Sequence, residues 1–207
     1  MIIAGLDPSF TSTGVAILDT EKKTIKTKAV CFGCPDKSFD GMQKSITAIL
    51  WTLDELLENV DVLVMEQPFA GQIFSAGLYG LDSAIYQHFR KLIVHTYHPT
   101  SLRKIHGKKY TKTDSKHLAL DVISILKDFE YAYINNLPEN KNGKLDMYGN
   151  KLSRNGEYAI TSDESEAILY VIVTGMKLGA DFNSSLELKE LLHTETKGVL
   201  DWTSLLA

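Results

Sequence analysis

The sequence predicts an α/β fold, a mixed five-stranded sheet of a three-stranded antiparallel meander plus two parallel strands, flanked by helices. Two observations carry this. Three apolar runs open the chain with only short polar turns between them, which is how antiparallel strands are joined. Segments of helical periodicity then alternate with short apolar runs, which is how crossovers return parallel strands to one sheet.

Residues 2–7 and 13–19 read as strands joined by a Ser/Thr-rich turn, and Thr24 to Phe32 as a third after the turn Thr20-Glu21-Lys22-Lys23. Ser38 to Glu58 places Met42, Ile46, Ile49, Leu50, Leu53, Leu56 and Leu57 on one helical face. Asp61 to Glu66 reads as a short buried strand. Phe74 to Lys91 reads as a second helix and Leu92 to Tyr97 as a strand that Pro99 closes. A third helix is expected from Thr113 to Lys127, and a last long one from a Ser162 cap to about Leu178. Glu130 to Ile160 carries Asn-Asn, Asn-Gly and Gly-Asn turn signals with little periodicity and reads as an insert. The expected organisation is one domain over residues 1–178, with the insert at about 130–160, and a C-terminal helical tail over 179–207.

The chain has 207 residues, 44% hydrophobic and 23% charged, the balance of a globular protein. Its longest apolar stretch, around Ala167 to Val173, is too short to span a bilayer, and no leader precedes the first strand, so a cytoplasmic setting without membrane contact is expected. Cys31 and Cys34 are too few for a disulfide scaffold. Their C-x-x-C spacing closes a strand and runs into Pro35, where a redox pair should open a helix. The paired histidines that would complete a zinc finger are missing, so two reduced cysteines are expected. The net charge is −4, yet Arg90 to Lys116 holds eight basic residues against Asp114 alone. Local field decides phosphate attraction, because salt screens charge within about 10 Å.

Four acids stand at the ends of apolar elements: Asp7, Glu66, Asp163 and Glu166. A carboxylate among core residues is costly unless something pairs with it. Asp163 and Glu166, three apart, share a helix face. If the strands ending in Asp7 and Glu66 are neighbours, both carboxylates emerge at one sheet edge. Hard oxygen ligands of this kind suit Mg²⁺ or Mn²⁺, and two such ions can hydrolyse a phosphodiester. On the residues alone the plainer alternative stays open: four separate strand-end and helix-start acids, of which Asp163 and Glu166 would be ordinary first-turn residues.

Gly5-Leu6-Asp7-Pro8-Ser9 with Thr13-Gly14-Val15-Ala16 resembles the opening motif of RuvC-type Holliday-junction resolvases, in the ribonuclease H-like superfamily. Met65-Glu66-Gln67-Pro68-Phe69 resembles their second motif, and Asp163-Glu164-Ser165-Glu166-Ala167-Ile168-Leu169 their last. The resemblance covers about residues 1–126 and 160–178. It implies a homodimeric endonuclease that nicks two symmetric strands of a four-way DNA junction, with two Mg²⁺ ions per site for which Mn²⁺ substitutes. Asp7, Glu66, Asp163 and Glu166 would then be catalytic metal ligands. Phe69 would stack on unpaired bases near the junction centre, its alternative being a core phenylalanine. Lysines after the fifth strand would hold the scissile phosphate, with Lys112 and Lys116 the nearest candidates and Lys108 and Lys109 behind them. The helix holding Ala76, Gly77, Gly80 and Ala84 would form the dimer interface, its alternative being close packing on its own sheet.

Three features depart from the pattern. Glu166 is one methylene longer than the usual aspartate, the insert has no counterpart in compact relatives, and the tail after Leu178 is extra. They leave room for a broader nuclease acting on flaps and Y-junctions. A rival in another class, an actin-like or sugar-kinase-type ATP-binding protein, needs a glycine to approach phosphate where this chain has Ser9.

Overall fold

A computed structural model describes residues 1–10, 12–30, 38–66, 75–97, 112–133, 161–183 and 185–192. Six strands form one sheet: β1 (Ile2–Asp7), β2 (Thr13–Asp19), β3 (Thr24–Val30), β4 (Val62–Glu66), β5 (Ile93–Tyr97) and β6 (Glu130–Tyr133). Their order across the sheet is β5-β4-β1-β2-β3-β6. The meander β1-β2-β3 is antiparallel, and β4 and β5 add to β1 in parallel. This is the expected mixed sheet with one strand more. β6 opens the stretch read as an insert and pairs in parallel with β3, from Thr24 opposite Glu130 to Thr27 opposite Tyr133. The Thr27 and Tyr131 hydroxyls hydrogen-bond at 2.9 Å and fasten it.

The helices are α1 (Phe39–Leu56), α2 (Ser75–His88), α3 (Lys112–Ile125), α4 (Ser162–Lys177) and α5 (Ser185–Leu192). Ser38 caps α1, its side chain accepting from the Gly41 amide at 3.1 Å. The cap of α4 is Thr161 rather than Ser162. The Thr161 hydroxyl accepts from the Glu164 amide at 3.1 Å, and the Glu164 carboxylate accepts from the Thr161 amide at 2.9 Å. That reciprocal pair satisfies two donors with no intrahelical partner, and Ser162 has no glutamate at the matching offset to do the same.

Alternation along the strands divides the core into two layers. Ala4 and Leu6 of β1, Val15 of β2, and Leu63 and Met65 of β4 face α1 and α2, where Ile49, Leu53, Leu81 and Ile85 are buried. Ile3, Ala16, Leu18, Val62 and Val64 face the other way, against α3 and α4. Every residue from Ala167 to Val173 is buried, so α4 is the central helix of its layer. Leu188 and Leu192 of α5 are buried in that same layer, so the part of the tail that α5 occupies belongs to the core.

Candidate active site

The period of two along a strand places the first two acids. In β1, Ile3, Gly5 and Asp7 point to the α4 side; in β4, Val62, Val64 and Glu66 do the same. The parallel register sets Leu6 beside Met65, so Asp7 and Glu66 end adjacent strands at one edge and on one face.

Two glycines bring the helix down onto that edge. A Cβ at Gly14 would overlap the Asp163 backbone and stand 2.6 Å from the Glu164 amide. A Cβ at Gly5 would overlap the Ala167 carbonyl and stand 2.9 Å from Val171 Cγ1. Gly14 is also the register partner of Asp7, so the first turn of α4 sits over the strand pair that carries Asp7. Asp163 and Glu166 thereby reach the same place from above.

The electrostatics agree. Asp7 is partly exposed as a residue, but its carboxyl is largely withdrawn from water. Its pKa is held well above the usual carboxylate range, first by that burial, then by the charges of Glu66, Asp163 and Glu166, and by a hydrogen bond with Glu66. The three other sequence-identified acids, Glu66, Asp163 and Glu166, therefore all act on Asp7. Among the described residues no three His, Cys, Asp or Glu side chains are grouped so that they could hold a metal ion; the Asp7–Glu66 hydrogen bond instead ties two of the acids to each other. An all-oxygen donor set carrying this much negative charge fits a hard divalent cation, Mg²⁺ or Mn²⁺, whose charge would relieve the repulsion.

Two buried polar residues escaped the sequence reading. Asp82 of α2 is 5% exposed, and burial followed by the charge of Glu66 pushes its carboxyl up to about 7. Tyr170 of α4 is fully buried, and its hydroxyl has no hydrogen-bond partner among the described residues. Asp82 lies between Leu81 and Ser83 in a helical pattern, and Tyr170 lies inside an apolar run, so neither interrupts its local periodicity.

Lys112 and Lys116 lie in the first turns of α3, the helix that follows β5. Phe69, Lys108, Lys109, Cys31 and Cys34 lie outside the described residues. On α2, Leu81 and Ile85 face the core, while Leu78, Tyr79 and Tyr86 are exposed. A Cβ at Gly77 would touch Phe10 and Met42 at ordinary van der Waals distance; one at Gly80 would meet nothing within 4 Å among the described residues. Among the described residues nothing stands close enough to either position to require glycine there. No described helix is long and apolar enough to cross a membrane.

A six-stranded mixed sheet of this order, flanked by helices on both faces, is a ribonuclease H-like fold. Among solved structures the chain is similar to RuvC of T. thermophilus in complex with a Holliday junction substrate, with a TM-score of 0.53 at 13% identity, over 87% of this chain and 98% of that one. A further Thermus thermophilus RuvC structure matches at a TM-score of 0.46 and 14% identity, over 87% and 98% of the two chains. The fowlpox virus Holliday junction resolvase matches at 0.43 and 18%, over 86% and 99%. At these identities the likeness is one of fold. No family model and no curated protein sequence matches the chain.

Proposed function

We propose that the protein is a metal-dependent endonuclease that resolves four-way DNA junctions by symmetric nicking. One observation carries the reading: strands β1 and β4 and helix α4 deliver Asp7, Glu66, Asp163 and Glu166 to one sheet edge, where they raise the pKa of Asp7. Such crowding destabilises a fold that has no cation to bind. The likeness in fold to a resolvase solved with a Holliday junction supports the choice of substrate.

Asp7, which feels the other three acids, would be the central ligand. Glu66 would ligate from the neighbouring strand, and Asp163 and Glu166 from above. Mg²⁺ or Mn²⁺ held there would supply activation of a water and stabilisation of the leaving oxygen of a phosphodiester. The protein's part is to fix four carboxylates on rigid elements, so that little reorganisation remains when substrate arrives. Lys112 and Lys116, with Lys108 and Lys109, would neutralise backbone phosphates, and Phe69 would stack on an unpaired base at the junction centre. The exposed Leu78, Tyr79 and Tyr86 beside the open Gly80 suit α2 to a two-fold contact with a second copy, which would supply the second nick. The site of action would be the cytoplasm, in contact with DNA.

The purified protein should be incubated with four-way junctions, Y-junctions, flaps, linear duplex and an RNA–DNA hybrid, with Mg²⁺ or Mn²⁺. Paired, metal-dependent nicks confined to the four-way junction are expected, and none in Asp7→Asn. Equal cutting of flaps and Y-junctions would favour a general debranching nuclease. No cutting of any branched DNA, or full activity in Asp7→Asn, overturns the proposal. A monomer by light scattering at micromolar concentration would count against the α2 contact. The ATP-binding rival finds little support at its key turn: Thr13 accepts from the Ser9 amide at 3.2 Å and donates to the Ser9 carbonyl at 2.8 Å, which closes the turn where a phosphate loop would be open.

A further inference from the structure

Asp163, Glu166, Tyr170 and Thr174 are spaced three, four and four residues apart on α4, so they form one stripe down the helix. Its upper end holds two of the acids. Its lower end meets Tyr97, the last residue of β5 and the register partner of Glu66. The Tyr97 and Tyr170 rings stack, their centroids 5.9 Å apart and their planes within 10°. The Tyr97 hydroxyl and Thr174 Oγ1 are 3.2 Å apart, which holds the second ring. The Tyr170 ring is thus clamped from one side and fully buried.

A tyrosine clamped this way has its hydroxyl direction fixed. That hydroxyl makes no hydrogen bond of strict geometry to the described residues, yet it stands near enough to Glu66 for a hydrogen-bonding contact with that side chain, within the fields of Glu66, Asp7 and Glu166, with Glu66 the strongest. Phenylalanine would fill the same space and stack equally well without burying an unsatisfied polar atom. Towards a carboxylate a phenol can only donate. Glu66 is the nearest of these in effect, and its carboxyl is hydrogen-bonded to Asp7. Carboxylates that ligate metal are generally held in orientation by a hydrogen bond from behind.

We propose that Tyr170 is a positioning residue for Glu66: the stacked Tyr97–Tyr170 pair holds a buried hydroxyl where the Glu66 carboxylate can accept its hydrogen, leaving the carboxylate's other oxygen turned to the centre of the site. This rests on the reading of the four acids as metal ligands. Tyr170 touches neither substrate nor ion; it acts through Glu66.

The test is Tyr170→Phe in the full chain, which keeps the ring and the stack. Mn²⁺ binding by calorimetry, without DNA, should weaken about 10-fold, the lower end of what loss of an orienting partner causes. In EDTA the variant should melt only slightly below the native temperature, as the loss of one hydrogen bond to Glu66 requires, while added Mn²⁺ should raise its melting temperature less than it raises the native one. On a four-way junction kcat should fall while KM holds. Unchanged Mn²⁺ affinity overturns this proposal alone. A lower melting temperature in EDTA together with a native-size stabilisation by Mn²⁺ marks the hydroxyl as merely structural and also overturns it. If the native chain itself binds no Mn²⁺, the metal-site reading falls, and this one with it.

Discussion

Replacing Asp82 by asparagine should stabilise the protein in alkaline solution and much less in mild acid. Burial first, then the charge of Glu66, lifts the Asp82 carboxyl from 3.8 to about 7. A carboxyl raised on folding favours the protonated native state. Its contribution is whole below 3.8 and is lost as the pH climbs through about 7. The shift spans about three pH units, and at about 1.4 kcal/mol per unit the ceiling is about 4 kcal/mol once both states are ionised. Between about pH 5 and about pH 8.5 some two of those units apply, and allowing for local relaxation and water the native chain should lose about 2 kcal/mol relative to Asp82→Asn. Urea unfolding of both chains in EDTA at the two pH values measures this, and titrations common to both cancel in the difference. A stability gap that is the same at both pH values, or a variant less stable than the native chain at the higher one, would refute the assignment of a buried, strained charge to Asp82.

Three further outcomes are expected. Gly14→Ala places a methyl group against the Asp163 backbone and should cost about 3 kcal/mol in urea unfolding while weakening Mn²⁺ binding; an unchanged protein would show that α4 does not need the close approach. Asp7→Asn removes a carboxyl that burial and three acidic neighbours hold well above its usual range, so near pH 8 in EDTA it should melt above the native chain. With Mn²⁺ at about 100 times its Kd the native chain should gain about 2.7 kcal/mol, and the variant should gain far less; an equal gain would refute Asp7 as a ligand. Lys112→Ala with Lys116→Ala should weaken junction binding and flatten its salt dependence by about 1 for each phosphate no longer neutralised; an unaltered slope removes both lysines from the interface.

The sequence made legible what depends on period and punctuation. Alternation in β1, β2 and β4 announced the sheet, and the acids at strand ends stood out because each follows an unbroken apolar run. What stayed hidden depends on partners distant in the chain. β6 is four residues, Glu-Tyr-Ala-Tyr, too short for any period to show; it is a strand because β3 offers an open edge and Thr27 a hydroxyl for Tyr131. The cap of α4 was misplaced by one residue even though its signal was present, since Thr161 has a glutamate three residues on and Ser162 does not. Gly5 and Gly14 were readable as motif residues, but their task, to let a helix lie on the strands, requires knowing which helix arrives there. Tyr170 and Asp82 fit their local patterns, and only their neighbours across the fold make them unusual.

Two of the four acids ride on the helix whose middle turns fill one side of the core, from Ala167 to Val173. Chemistry and folding therefore draw on the same segment of chain, and few substitutions can retune the one without damaging the other. The exposed side of α2 is under no such double constraint, since Leu78, Tyr79 and Tyr86 can vary at little cost to the interior. A lineage built on this plan would be expected to keep the acids and the buried run of α4 together while the outer face of α2 drifts.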